Sequence, residues 1–268
     1  MSQIGARIER VGKIPIEAGY QLVAQYHYSK IMPRLTRVCY GGFVRDELVA
    51  MMSLGWGVRP LHTIRRLFPS LSTKDYFEIG KLCLKDEMPS NSESMFISRV
   101  LRNLKQDHPK KKLVYTWADG MLGKPGYIYQ ASNFLYGGYI WTDSYFSQDG
   151  EKIHPRTSQG LEGAKEQGLV CGHRPNLETQ KRLGLNHVQG KQFRYVYFLC
   201  GRSERKRLLA ESTVTWTLDY PKDKDLAWKI KRNGKWTDCD APFYDPSIAV
   251  FNKSVTEYPA NQLILFEL

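Results

Sequence analysis

Apolar and polar positions along this chain fall into a readable order. In KIPIEAGYQLVAQYH (13–27), Ile16, Tyr20, Val23 and Tyr26 recur at helical spacing behind Pro15, a residue suited to the first turn of a helix. Two apolar runs follow, RVCYGGFV (37–44) and ELVAMMSLGWG (47–57). With a break at Arg45-Asp46-Glu47 they predict an antiparallel hairpin. Residues 59–76 are mixed and read as irregular. A strand is predicted over 78–84, a polar bend over 85–91, and a helix from there to about Asp107. Phe96, Ile97, Val100, Leu101 and Leu104 share one face of that helix. A strand over 112–118 and a helix around 125–135, with Ile128, Ala131 and Leu135 facing inward, complete a strand–helix–strand–helix unit. Residues 142–190 are polar and weakly periodic. They read as a long functional insertion, since structureless loops of that length are otherwise uncommon in compact domains. FRYVYFLC (193–200) predicts a returning strand, and GRSERKRLL (201–209) the start of a basic helix. In WKIKRNGKW (228–236), Asn233-Gly234 between alternating residues predicts a hairpin.

Composition narrows this picture. With 268 residues, 42% of them hydrophobic, the chain can bury a full core in one large domain with appendages. Its net charge of +12 favours a polyanionic partner, nucleic acid ahead of an acidic membrane. None of the five cysteines forms a CxxC pair, and Cys39, Cys83 and Cys200 sit in apolar runs where reduced thiols behave as small hydrophobes. Cys171 and His173 form a lone CxH without two further zinc ligands, so no metal site is assigned and any metal requirement stays open. No run approaches a membrane span, and MSQIGARIERVGK lacks the apolar core of a signal peptide. The expectation is a cytoplasmic protein that does not enter membranes.

Candidate chemistry gathers between Glu78 and Gly138. The bend PSNSES (89–94) opens a helix whose free N–H groups and dipole would welcome an anion. Asn91, Ser92 and Ser94 are candidates for holding it, with Lys81 and Arg99 adding charge. Helix capping by Ser90 or Asn91 is the alternative. Asp119 ends an apolar strand, where ligands meet open sheets, and could take a proton from an amine. It could equally be a turn-former. Tyr129, ten residues on, could protonate a leaving group or simply pack. His27 and Tyr28, just past the first helix, could line a cleft. His154 and Arg156 in the polar insertion, and Lys229, Lys231 and Arg232 in the tail hairpin beside two tryptophans, suit contacts to nucleic acid.

The unit from Glu78 to Phe134 resembles the GNAT acyltransferase core, its last helix reading GYIYQASNF, with DEMPSNSES in place of the usual glycine-rich phosphate loop. Taken with YHYSK (26–30), LVAMMSLGWG (48–57), NSESMFISR (91–99), YTWAD (115–119), IHPRT (153–157), FRYVYFL (193–199) and YPK (220–222), the chain resembles the Mom family of phage DNA-modification proteins. This resemblance implies an α/β (α+β) GNAT-like fold: a mixed, mainly antiparallel, splayed sheet flanked by helices. Residues 1–222 would form the catalytic domain, with 142–190 facing DNA and 223–268 a C-terminal extension bearing the hairpin. It also implies transfer of an acyl- or carbamoylmethyl-type group to the exocyclic amine of adenine in double-stranded DNA, which protects phage DNA from restriction. The donor would be an acetyl-CoA-like thioester, or aminoacyl-tRNA. Carried over by position, it places Lys81, Ser94, Asp119 and Tyr129 in the cofactor and catalytic site, with His27 and Tyr28 in its N-terminal signature; Lys81 stands where arginine is expected. The alternatives are an acyltransferase acting on a small amine or a protein, and a DNA-binding protein without catalysis.

Overall fold

The computed structural model describes residues 7–57, 59–153, 175–245 and 247. Strand β1 (Arg10–Ile14) leads into helix α1 (Ile16–Tyr26). The predicted hairpin follows as β2 (Leu35–Val44) and β3 (Glu47–Trp56), then α2 (Pro60–Leu67), β4 (Tyr76–Leu84), α3 (Ser92–Asp107) and β5 (Leu113–Ala118). After a short 3-10 turn come α4 (Tyr127–Ala131), β6 (Leu135–Phe146), β7 (Lys152–Ile153), α5 (Leu177–Arg182), β8 (Asn186–Phe198), α6 (Arg202–Glu211) and the hairpin β9 (Trp228–Arg232) and β10 (Lys235–Cys239). Among the described residues no helix is long and apolar enough to cross a membrane.

The strands form one open, mixed sheet in the order β1-β2-β3-β4-β5-β8-β6-β7, with β9 and β10 joined through β8. Every pairing is antiparallel except β4 with β5. Helices cover both faces, because neighbouring residues of a strand point to opposite sides. Met51 of β3 packs with Tyr20 and Val23 of α1, while Met52 packs with Phe96 and Val100 of α3 on the other side. Ile64 and Leu67 of α2 share a cluster with Leu208 of α6 and Tyr76, Tyr115 and Val196 of the sheet.

Two features of the sheet make the site. The parallel pairing of β4 with β5 covers only Tyr76↔Leu113, Phe77↔Val114 and Glu78↔Tyr115. Beyond it β4 runs on to Leu84 and β5 to Ala118 without each other, so the sheet forks. The β3–β4 register also shifts between Ser53 and Leu54, skipping Gly80, which bulges at the root of the fork.

Several expectations change here. Residues 59–76 are not irregular, since they contain α2. The stretch 142–190 is not one structureless insertion: it carries the end of β6, all of β7 and α5, and the first residues of β8. The helix expected around 125–135 is only 127–131, with Leu135 already in β6. The tail hairpin forms as expected, Asn233 and Gly234 both taking the positive φ that such a turn requires. It is an extension of the main sheet, pairing with β8 from Val188 to Gly190.

Candidate active site

A cleft of about 500 Å³ occupies the fork. His27, Tyr28, Lys81, Asp119 and Tyr129, chosen from distant parts of the sequence, all line it. Asp119 is there because β5 ends at Ala118, where the parting strands leave room for a side chain. Tyr129 is there because α4 is held tightly from behind. Gln130 donates to the carbonyl of Pro221 (3.0 Å) and to the Tyr195 hydroxyl (3.1 Å), and accepts from Lys222 (3.2 Å). Tyr220 adds a hydrogen bond to the Phe134 carbonyl at 2.7 Å. The YPK segment is thus a brace for the helix that carries Tyr129. The Tyr129 ring also packs between Phe134 (5.4 Å) and Tyr195 (5.5 Å).

The site is strongly shaped by burial. Burial, with Lys81 and Lys124 nearby, pulls the His27 imidazole down to about 3, so it is neutral at physiological pH. Its Nδ1 accepts the Ser29 backbone N–H at 2.9 Å, which leaves the ring proton on Nε2. His27 stacks on Tyr28 at 4.3 Å, and the Lys124 ammonium sits 4.4 Å from the Tyr28 ring centre. Burial and the neighbouring Asp119 carboxylate hold the Tyr28 phenol protonated. Burial raises Tyr129 likewise, against a partial pull from Thr116. Burial, with Lys152 nearby, lowers Lys81 to about 8; its ammonium donates to the Ser29 carbonyl and hydroxyl, both at 2.9 Å. Tyr244 from the C-terminal extension closes the arrangement by donating to the Tyr28 carbonyl at 2.6 Å.

Asp119 is held by Lys152 of β7 at 2.6 Å. Sequence reasoning missed this lysine, although it immediately precedes IHPRT, and it also missed Lys124. Lys81, Lys85 and Lys124 give the cleft wall cations suited to an anionic donor, against the acids Asp86, Glu93 and Asp119.

The other expected residues are placed as follows. At the start of α3, Glu93 lines the cleft, but Asn91, Ser92, Ser94 and Arg99 do not. Asn91 makes no side-chain cap, Ser92 is buried, and the Ser94 hydroxyl donates to the Asn91 carbonyl at 3.1 Å. The Arg99 guanidinium is taken up by the carbonyls of Ile8 (2.7 Å) and Glu9 (3.1 Å). Lys229 lies over Trp141 and Lys231 over Trp236, while Arg232 is exposed. Trp228 donates to the Met121 carbonyl at 3.0 Å and packs with Phe146 and Val188, so it belongs to the core of the hairpin junction. His154, Arg156, Cys171 and His173 lie outside the described residues.

Chemically, the fork offers a carboxylate, protonated phenols, a neutral imidazole and lysines around one space. It also offers the edge of β4 beyond Glu78, where no strand pairs. Proton removal, proton donation and anion binding can meet there.

Comparison with known proteins agrees with the sequence motifs. The chain is 29% identical over 204 residues to the methylcarbamoylase Mom of Escherichia phage Mu, covering 76% of this chain and 80% of that one. Among solved structures it is similar to the aminoglycoside 6'-acetyltransferase type Ii, at 10% identity and a TM-score of 0.38, covering 72% of this chain and 99% of that one. It is also similar to a Bacillus subtilis acetyltransferase in complex with CoA, at 13% identity and a TM-score of 0.36, again covering 72% and 99%. The model of the Mom protein family matches residues 9–222, from β1 to the YPK brace. The span takes in the fork and every cleft-lining residue discussed, and the chain therefore belongs to that family.

Proposed function

We propose that this chain is a transferase that modifies DNA, moving an acyl- or carbamoylmethyl-type group onto the exocyclic amino group of adenine. The observation that carries this reading is that Asp119, Tyr129, His27, Tyr28 and Lys81 line one cleft at the fork. Family membership and the net charge of +12 support DNA as the partner. On phage DNA such a mark would keep restriction enzymes from cutting.

Adenine's amino nitrogen shares its lone pair with the ring and is a poor nucleophile, and in duplex DNA it faces its pairing partner. The base must therefore leave the stack to react. With a thioester donor, the nitrogen attacks the carbonyl carbon while Asp119 takes the amine proton, and Lys152 holds that carboxylate in place. Backbone N–H groups on the open edge of β4 stabilise the oxyanion. When the carbon–sulfur bond breaks, Tyr129 gives its proton to the departing thiolate. Its buried phenol stays protonated until that moment. Lys81, Lys85 and Lys124 hold the donor's anionic part. An aminoacyl-tRNA would supply the same acyl chemistry from an oxygen ester. A glycyl group delivered this way is an isomer of a carbamoylmethyl group, so fragmentation and not mass alone distinguishes the two products.

The test is to digest DNA from cells expressing the protein to nucleosides and to analyse the deoxyadenosine fraction by mass spectrometry. Asp119→Asn and Tyr129→Phe should each lower the modified fraction by roughly 10²-fold or more, the usual scale of acid–base assistance, with folding and DNA binding intact. Wild-type levels in both variants would overturn these roles.

A further inference from the structure

The fork has a second mouth. A smaller cavity of about 220 Å³ lies against the same strands and shares Tyr28, Ile79, Gly80, Trp117 and Asp119 with the first cleft. Its other walls include Trp56, Glu78 and Gln192. Asp119 thus borders both cavities. The volume is below the roughly 300–1,000 Å³ of sites for drug-sized ligands and suits a single heteroaromatic ring system.

Its lining is built for such a ring. Trp56 is fixed by donating to the Tyr76 carbonyl at 3.2 Å, and Trp117 by Tyr115 at 5.4 Å and the Arg194 guanidinium at 5.3 Å. Glu78 is the residue without an obvious structural purpose. Its carboxylate accepts the Gly57 backbone N–H at 3.1 Å, and no salt bridge compensates it among the described residues. Gly57 permits that approach, since a Cβ there would stand 2.9 Å from both carboxylate oxygens. Burial pushes Glu78 up to about 7. The charged form of a half-buried carboxylate with so little compensation is costly, and a ligand N–H would relieve that cost as protonation otherwise does.

The surface beside this mouth is basic. Arg59, His62, Arg65 and Arg66 of the α2 segment are exposed, as is Arg37 of β2, whose guanidinium lies 5.4 Å from the Trp56 ring. A groove lined by His62, Arg66 and Arg194 runs up to Trp117, the wall it shares with the cavity.

We infer that this second cavity receives the extruded nucleobase, with Glu78 accepting a hydrogen bond from its exocyclic amino group while the α2 arginines grip the flanking phosphates. This rests on the reading of the chain as a DNA adenine transferase. It assigns the two substrates to two mouths of one fork, donor on the lysine side and base on the Glu78 side, with Asp119 between them. Glu78 is a recognition residue here, and proton removal stays with Asp119.

The experiment uses the full chain and two duplexes, one with adenine at a target position and one with purine there, which lacks the amino group. Wild-type protein should bind the adenine duplex at least tenfold more tightly. Glu78→Gln, of the same shape, should lose most of that preference and modify DNA at least tenfold more slowly, while retaining affinity for acetyl-CoA as the donor probe. Preference retained in Glu78→Gln would overturn the inference. A second variant, Arg65→Ser with Arg66→Ser on the exposed face of α2, should weaken DNA binding uniformly across sequences. It should also reduce the slope of log affinity against log salt by about two. An unchanged slope would remove the α2 surface from the interface. A wild-type protein that modifies no nucleobase would defeat the functional reading itself. A wild type that modifies adenine beside an indifferent Glu78→Gln defeats only the assignment of this cavity.

Discussion

At the scale of single residues, the site is a set of groups whose protonation is decided by burial. His27 gives the clearest consequence. Unfolded, its imidazole takes a proton near the ordinary value of 6.5, whereas in the fold it does so only at about 3. Between these pH values the unfolded chain binds the extra proton. The stability His27 leaves intact above pH 6.5 is therefore lost progressively as pH falls towards 3. Glu78 acts in the opposite sense: raised to about 7 from 4.5, it binds its proton first in the folded state, so acidification through that range favours folding. The wild-type curve mixes the two, and the difference between wild type and His27→Gln isolates the histidine. Urea midpoints should fall more steeply from pH 6.5 to 4 in wild type than in the variant, and parallel curves would contradict the buried neutral imidazole. Asp119 and Tyr129 were legible as candidates because one follows a strand end and the other lies within a short helix, each in a matched motif. Glu78 and Lys152 were not, because nothing in the sequence near a lone acid or lysine marks it as facing a cavity.

At the scale of elements, legibility followed the range of the contacts that fix each one. The β2–β3 and β9–β10 hairpins and the apolar face of α3 are local patterns, and periodicity or an Asn-Gly turn announces them. Strand β6 pairs with β8 from Leu135↔Val196 to Phe146↔Asn186, across a long intervening stretch. TDSYF and NHVQGK are too polar to declare themselves as strands without that partner. Helix α2 has only eight residues and two buried side chains, Ile64 and Leu67, too few for a periodic signal. Helix α4 is shorter still and depends on its surroundings, which makes the N-cap residue before it a sensitive point. Gly126 has φ +100, and a Cβ there would lie 2.6 Å from the Tyr195 ring and 2.9 Å from Ala118. Gly126→Ala combines backbone strain with overpacking, each costing about 1–3 kcal/mol. Denaturant unfolding should show a loss of at least about 2 kcal/mol, with modification reduced further because Tyr129 is displaced. A neutral substitution would mean that the α4 brace does not hold its geometry.

For the whole molecule, the separation of the two mouths predicts different responses to salt. The donor side carries only three lysines with acids among them, half-buried Lys81 and Lys85 and exposed Lys124, and the half-buried pair is screened less than exposed charge. The base side opens among exposed arginines, and association with DNA releases counterions in proportion to the phosphates contacted. Six or more such contacts would lower affinity by roughly 10³-fold or more between 50 and 200 mM salt. Modification of duplex DNA at subsaturating concentrations should therefore collapse over that range, while affinity for a thioester donor, measured without DNA, should change far less. A transferase acting on a small amine or a protein lysine would lack so steep a dependence, because its acceptor brings no row of phosphates. A shallow salt response for DNA modification would thus count against the basic face as a nucleic-acid surface, even with adenine as the confirmed product. A steep fall in donor affinity would instead show that donor and DNA compete for the same cations, and the division of the fork into two mouths would fail.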